Sequence, residues 1–334
     1  MKIMVWVAAV ACVVGCSSSS NDGGGAGGSG ATAGTGGSAG TAVDITDAIF
    51  VERDADCAAY TNAYDSSVID VQRDRLFDGE VTITNDGDSC TLASNNIPNH
   101  DFNDPTAAFA TDVAAVNQSL TVPRMPSVAS EPTALSQQAY NGVMLNGVPI
   151  DILSAGCYDP DSPMADMNGD VPIGCSVDDP WLLDPLGTEF KFGADANNAH
   201  TQPDGSYHYH GNPNAMFDDM PGPEGSPVIG FAADGFPIYG SYFLYPDMNT
   251  VRAAVSGYTL RAGDRPDSDG NPGGPYDGRY VDDWEFTDAG DLDECNGMEV
   301  DGQYGYYVID TFPWILRCLS GTPDPSFQKG MGGP

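Results

Sequence analysis

The chain has only four histidines, and two of them, His208 and His210, are separated by a single residue. On an extended strand, alternate side chains share a face at a spacing of about 7 Å, so these imidazoles form half of a predicted metal site. His200 lies eight residues before His208, and His100 is the fourth histidine. Because Zn²⁺ and Cu²⁺ favour neutral imidazole ligands, the sequence predicts a Cu or Zn site built from all four. The alternative is that these histidines are structural, forming hydrogen bonds with carboxylates or capping loops.

Two turns are predicted to bring further groups to this site. Pro203-Asp204-Gly205 is a hairpin signal, because proline fixes φ and glycine accepts a positive φ, and it would fold His200 back towards His208. Ala233-Asp234-Gly235 separates two apolar runs and would expose Asp234 at a loop tip. There Asp234 is the candidate catalytic residue: it could bind the metal, orient an imidazole, or act as general base on a metal-bound water. The competing interpretation is an Asp-Gly turn whose carboxylate binds its own backbone.

The elements that must position these residues are predicted to be β-strands. Short runs rich in Val, Ile, Tyr, Phe and Thr are bounded by turn residues, and 41 glycines and 25 prolines argue against long helices. Strands are predicted at 81–84 (before the turn Asn85-Asp86-Gly87), 142–152, 228–232, 238–243 and 304–309, and short helices at 105–120 and 249–255. The predicted fold is mainly β: one β-rich domain over residues 43–334, with long loops and a few short helices.

The first residues resemble a bacterial lipoprotein signal. A basic start is followed by an apolar run over 3–14 that is too short to span a bilayer. This run ends in Val13-Val14-Gly15-Cys16, which resembles a lipobox, so residues 1–15 are predicted to be a signal peptide and Cys16 the lipidation site. The competing interpretation is an ordinary secretory signal with an incidental cysteine.

The segment 16–42 is predicted to carry the lipid anchor and a flexible tether, because its Gly, Ala, Ser and Thr residues cannot bury enough apolar surface to order it. We therefore expect a protein held at a membrane by its N-terminal lipid, in the cell envelope and outside the cytoplasm. The outer membrane is the expected location.

Six cysteines remain once Cys12 and Cys16 are set aside. An even number in an exported protein indicates disulfides, and six cysteines allow fifteen connectivities. The order along the chain suggests Cys57–Cys90, Cys157–Cys175 and Cys295–Cys318. A thiolate metal site is the competing interpretation, but the chain has no Cys-x-x-Cys motif.

The chain is strongly acidic, with 48 Asp and Glu against 12 Lys and Arg and a net charge of −36. This charge excludes nucleic acid and anionic membrane surfaces as electrostatic partners. It fits either a solvated acidic surface, which we favour, or Ca²⁺ bound in the Asp-rich loops at 159–161, 166–170 and 264–271. None of these loops has the closing Glu of an EF-hand.

Aromatic residues suggest a different class of function. Five tyrosines spaced as on strands could form a stacking platform for a polysaccharide, although such stripes in β proteins are more often core. They are Tyr207, Tyr209, Tyr239, Tyr242 and Tyr245. Nucleophilic catalysis has less support, because residues 43–334 contain no Gly-x-Ser-x-Gly motif and no free cysteine beside a histidine.

Several blocks in order along the chain resemble the bacterial YHYH domain family. The blocks are Asn96-Ile97-Pro98-Asn99-His100, Asn197-Asn198-Ala199-His200, Gly205-Ser206-Tyr207-His208-Tyr209-His210, the run from Pro227 to Gly240, Asp291-Leu292-Asp293-Glu294-Cys295-Asn296-Gly297 and Phe312-Pro313-Trp314-Ile315-Leu316-Arg317-Cys318. The family pattern more often has Tyr at the position of Trp314. The resemblance implies the family but no particular reaction.

Two functions are compatible with these observations. The first is a lipid-anchored protein whose histidines bind Cu or Zn, for metal-assisted surface chemistry or for metal acquisition. The second is a metal-independent binding module at the cell surface, for a polysaccharide or a surface protein, with structural histidines. Three protein ligands and an open coordination position would favour catalysis, whereas four closed ligands would favour a structural site.

Overall fold

The computed structural model describes residues 41–189, 191–218, 220–245 and 250–330. The predicted signal peptide, the predicted lipidation site Cys16 and the predicted tether up to residue 40 lie outside the described residues. Within those ranges, no helix is long and apolar enough to cross a membrane.

The chain folds mainly into short strands, as its Gly- and Pro-rich composition predicts. The described strands are β1 (Val43–Asp44), β2 (Asn62–Asp70), β3 (Arg75–Asn85), β4 (Ser89–Ser94), β5 (Gln118–Pro123), β6 (Thr133–Ala134), β7 (Gly142–Met144), β8 (Pro149–Ile150), β9 (Cys157–Tyr158), β10 (Asp170–Val171), β11 (Ala199–Thr201), β12 (Tyr207–Tyr209), β13 (Val228–Ala232), β14 (Pro237–Tyr239), β15 (Tyr242–Tyr245), β16 (Thr250–Ala253), β17 (Tyr258–Leu260), β18 (Trp284–Phe286), β19 (Gly297–Val300), β20 (Gln303–Tyr307) and β21 (Cys318–Leu319). Short 3₁₀-helices span Cys57–Tyr60, Lys191–Gly193, Val281–Asp283 and Pro325–Phe327. The described part of the chain has no helix of seven or more residues, so the mainly β prediction is confirmed.

The first large sheet is an antiparallel meander of β2, β3, β4 and β5, with β1 added parallel to β2. Val68, Val81 and Ile83 are buried, whereas the residues on either side of each are exposed. This alternation places one face of the sheet on the core, because successive side chains of a strand point to opposite faces. The predicted turn Asn85-Asp86-Gly87 joins β3 to β4, and Gly87 adopts a φ of 104° there.

The second large sheet has eight strands in the order β11-β12-β8-β7-β13-β14-β20-β19. Every residue of β7, β12, β13 and β14 is buried, so these strands are covered on both faces. One hydrophobic cluster joins this sheet to the first, since it contains Val81 and Leu92 as well as Val143 and Phe231. The strand that carries His208 therefore lies inside the protein, one strand from the edge formed by β11.

Both predicted helices are wrong. The segment 105–117 is irregular, because its amides bind distant loops: Ala108 N–H donates to the carbonyl of Gly193, and Ala114 N–H to that of Gly205, at 2.9 Å each. Residues 118–120 begin strand β5. In the second segment, residues 250–253 form β16 and pair with β15, and position 249 lies outside the described residues. In both places tertiary partners outweigh local helix propensity.

The six remaining cysteines form the three disulfides suggested by their order along the chain. Cys57–Cys90, Cys157–Cys175 and Cys295–Cys318 join Cα atoms 6.1, 5.9 and 4.6 Å apart. Two further groups of possible metal ligands consist of disulfide sulfurs with Asp56 or Asp179. Because a disulfide sulfur is not a thiolate, neither group is a thiolate metal site.

Candidate metal centre

A short hairpin positions the three clustered histidines. Strands β11 and β12 pair antiparallel with His200 directly opposite His208. The predicted turn connects them: Gly205 has a φ of 87°, and its N–H donates to the carbonyl of Gln202 at 2.9 Å. His210 follows β12 on the same face as His208 and is held by its N–H, which donates to the carbonyl of Asn198 at 2.9 Å.

The Nε2 atoms of the three imidazoles converge on one point. Nε2 of His210 lies 3.0 Å from Nε2 of His208 and 3.0 Å from Nε2 of His200. The three ligand atoms all lie within 4.8 Å of one another. Nitrogens bound tetrahedrally to one Zn²⁺ at about 2.0–2.1 Å would be separated by about 3.3 Å. The spacing of these atoms is therefore close to that of a three-histidine metal site.

These close contacts cannot all be ordinary hydrogen bonds. An imidazole nitrogen carries either one proton or one in-plane lone pair. Nε2 of His210 faces two other Nε2 atoms at the same distance, so its single proton or lone pair would have to serve two neighbours. A cation at the centre resolves this conflict, because each nitrogen then directs its lone pair at the same ion.

Burial holds these imidazoles in the form that binds metal. His208 and His210 are 2% and 4% exposed, and desolvation, followed by repulsion from His200, lowers the pKa of each well below its usual value. Burial also lowers the pKa of His200, although His200 is partly exposed. Metal-ligating histidine must be neutral, so at neutral pH all three can bind an ion without first losing a proton.

The second ring nitrogens are held unequally. Nδ1 of His200 lies 2.8 Å from the carbonyl oxygen of Phe192, so Nδ1 carries the proton and Nε2 keeps its lone pair. The Nδ1 atoms of His208 and His210 are buried and make no well-formed hydrogen bond. The carbonyl of Ser206 opposes the fall in the pKa of His208, and the carbonyl of Ile152 opposes the fall in the pKa of His210. The sequence gives no signal for the Phe192 carbonyl, which reaches the site from a short 3₁₀-helix with a left-handed residue.

Asp151, for which the sequence predicts no role, lies on the histidine face. Strands β8 and β12 run parallel with Ile150 opposite Tyr209, so Asp151 follows alongside His210 with its side chain on the same face. It is 3% exposed. The available signal was an acidic residue at the end of the apolar run Val148-Pro149-Ile150, because a buried carboxylate requires partners.

The structure does not bring His100 to this cluster, and its prediction as a fourth ligand is corrected. It lies behind the other face of β12, where Nε2 is 2.7 Å from the Tyr209 hydroxyl and Nδ1 is 2.8 Å from the Asp101 carbonyl oxygen. Full burial lowers the pKa of His100 to about 4. Both of its ring nitrogens are engaged in the core, as in the structural interpretation of the histidines.

Asp234 is also far from the histidines, and its predicted exposure at a loop tip is wrong. It is 1% exposed at the end of β13, which lies three strands from β12, or about 14 Å at normal strand spacing. Its Oδ2 accepts hydrogen bonds from the Tyr306 hydroxyl at 2.7 Å and from Gly321 N–H at 2.8 Å. Its Oδ1 accepts from Phe236 N–H at 3.3 Å, as expected for the Asp-Gly turn.

The tyrosines and the Asp-rich loops are the remaining candidate sites. Tyr207 and Tyr209 are fully buried and Tyr239 is 5% exposed, so these three belong to the core rather than to a stacking platform. In the described Asp-rich loops, no three carboxylates lie within 4.8 Å of one another. Asp166 accepts hydrogen bonds from backbone N–H groups of its own loop, and Asp170 pairs with Arg279. Ca²⁺ binding by these loops stays a prediction.

The family comparison covers the region that carries this site. The family model described as YHYH protein matches residues 119–321, which is more than half of the chain and includes β11, β12 and the three clustered histidines. No curated protein and no solved structure matches the chain significantly. On the length of the matched region, the chain belongs to the YHYH protein family.

Proposed function

We propose that this protein binds one transition-metal ion, Cu or Zn, through Nε2 of His200, His208 and His210, and uses it in metal-assisted chemistry. The observation that carries the proposal is the convergence of three Nε2 atoms with spacings of 3.0 Å. Three neutral nitrogen donors favour Zn²⁺ or Cu²⁺ over Ca²⁺ or Mg²⁺, which prefer oxygen ligands.

Three protein ligands support a reactive centre rather than a structural one. Structural zinc sites are closed by four protein ligands, whereas catalytic sites leave one position for water or substrate. The only other histidine, His100, is engaged on the opposite face of β12. His200 is partly exposed, which supports access from solvent to the otherwise buried group. Storage or acquisition of metal is the weaker use, because a buried, preformed triad favours retention over release.

The place of action is proposed from the sequence. The lipobox-like run ending at Cys16, the following tether and three disulfides support an exported protein anchored by lipid at the cell envelope, in the outer membrane. The net charge of −36 argues against nucleic acid as a partner.

The test is elemental analysis of the purified full chain before and after treatment with a chelator, and after reconstitution with Cu²⁺ or Zn²⁺. We expect one equivalent of Cu or Zn in the native protein and none in the His208→Ala variant. Asp234→Asn is the matched control, because Asp234 is equally buried in the same sheet but distant from the triad. A native protein that retains neither metal after reconstitution would overturn the proposal and favour the metal-independent binding module.

A further inference from the structure

A buried carboxylate with one free oxygen lies beside the three histidines. The parallel register of β8 and β12 places Asp151 next to His210 on the histidine face. A second contact supports this position independently: Gln202, two residues after His200 and on the same face of the hairpin, donates from Nε2 to Oδ2 of Asp151 at 2.8 Å. Two neighbouring strands therefore place Asp151 at the same site.

One oxygen of Asp151 is fixed and the other is free. Nζ of Lys329 lies 2.6 Å from Oδ2, which also accepts the hydrogen bond from Gln202. Lys329 is itself held by the carbonyl of Gln137 at 3.0 Å and by the ring of Tyr140, whose centroid is 5.0 Å from Nζ. In contrast, Oδ1 of Asp151 is buried and has no hydrogen-bond partner. A buried carboxylate oxygen without a donor is costly, so this arrangement indicates a donor supplied by a bound ligand.

The Asp151–Lys329 ion pair balances charge on the histidine face, with Nζ of Lys329 2.6 Å from Oδ2 of Asp151. An ammonium beside a divalent cation would be repulsive unless a carboxylate offsets it, and Asp151 supplies that charge. Burial raises the pKa of Asp151, while Lys329 and Gln202 oppose this rise.

We propose that Asp151 Oδ1 accepts the hydrogen bond, and then the proton, of a hydroxyl-bearing ligand in the coordination position that the three histidines leave open. The ligand is water or the hydroxyl group of a substrate. In the transfer, the ligand O–H bond breaks, its oxygen keeps the electron pair, and the proton forms a bond with Oδ1. Lys329 and Gln202 stay bonded to Oδ2 and fix the plane of the carboxyl group. This inference rests on the proposed metal site and assigns the class of ligand that the site selects.

The test compares two anions of equal charge and similar planar shape that differ by one hydroxyl proton: bicarbonate and nitrate. The full chain is loaded with Co²⁺, and the visible spectrum of the ion reports the dissociation constant of each anion. Because bicarbonate is also the more basic ligand, the effect of the hydroxyl proton is isolated by comparing this ratio between the native protein and Asp151→Asn. We expect the native protein to prefer bicarbonate by at least about tenfold, since a hydrogen bond to a charged acceptor is roughly twice as strong as a neutral one.

Asp151→Asn should lower this preference by about tenfold, because the amide is a neutral acceptor. Asp234→Asn, the buried control elsewhere in the sheet, should leave it unchanged. A native ratio near one would overturn the role of Asp151 even if Asp151→Asn failed to fold. If a folded Asp151→Asn variant kept the native ratio of dissociation constants, Asp151 would act only as a structural partner of Lys329. Failure of the native protein to bind Co²⁺, Cu²⁺ or Zn²⁺ at all would instead refute the proposed metal site.

Discussion

The two faces of strand β12 differ in how completely their polar groups are satisfied. On one face, the Tyr207 hydroxyl donates to Asp195 at 2.7 Å, and the Tyr209 hydroxyl contacts His100 at 2.7 Å and Asn146 at 3.0 Å. On the other, the Nδ1 atoms of His208 and His210 make no well-formed hydrogen bond, and their Nε2 atoms lie 3.0 Å apart. Neighbouring residues of one strand therefore support the core and a candidate reactive centre.

Two kinds of buried histidine are distinguished by the same comparison. His100 has a partner for each ring nitrogen, which is what a stable core requires. His208 and His210 are equally buried, but their Nε2 atoms face only other imidazoles, so these nitrogens lack a conventional partner unless a ligand is bound. Unsatisfied polar groups in a well-packed core are a stronger sign of function than the residue type alone.

The largest difference between the two faces should appear in metal affinity. His210→Ala should weaken Cu²⁺ or Zn²⁺ binding by more than about 1000-fold, because one of three ligands carries several kcal/mol of a total of about 10–16 kcal/mol. Tyr209→Phe, on the opposite face, should change the affinity by less than about tenfold. Competition with a chelator of known affinity measures both. Equal losses in the two variants would show that the histidine face is not a separate binding site.

The second prediction concerns the pH dependence of stability on the tyrosine face. The pKa of His100 falls from 6.5 to about 4 on folding, so its contribution to stability is complete above pH 6.5 and is lost as the pH falls towards 4. By pH 5 this loss amounts to about 2 kcal/mol. The difference in unfolding free energy between the native protein and His100→Gln should narrow by that amount between pH 7.5 and pH 5 in urea titrations. A gap that stays constant with pH would mean that folding does not change the pKa of His100.

The last prediction concerns one hydroxyl group on the tyrosine face. Tyr209→Phe should lower the unfolding free energy by about 1–3 kcal/mol, because it leaves buried groups of His100 and Asn146 without a partner. Tyr276→Phe is the control, since the Tyr276 hydroxyl makes no hydrogen bond to a described residue and should change stability by less than about 0.5 kcal/mol. Equal effects of the two substitutions in urea unfolding would contradict the account of this face.

Local patterns in the sequence predicted most of what lies within one hairpin. The spacing of His208 and His210 and the turn at Pro203-Asp204-Gly205 were enough to predict the grouping with His200, although the rings turn towards each other, with centroids of His208 and His210 4.7 Å apart rather than about 7 Å. The strand at Val228–Ala232 followed from its apolar run.

Features that depend on pairing between distant segments could not be predicted from local sequence patterns. Asp151 joins the histidine face only through the parallel register of β8 and β12, and no local pattern fixes that register. His100 was predicted as a ligand because of its residue type, whereas its position behind β12 depends on the packing of both sheets. The helix predicted at 105–120 failed for the same reason, since its amides bind distant carbonyls.

The contact between Lys329 and Asp151 joins residues 178 positions apart, and Lys329 follows every strand of both sheets. During synthesis the three histidines and Asp151 emerge long before the lysine that balances the carboxylate. Until residue 329 has been made, the carboxylate lacks its counter-charge, so this ion pair can form only after the strands of both sheets have been synthesised.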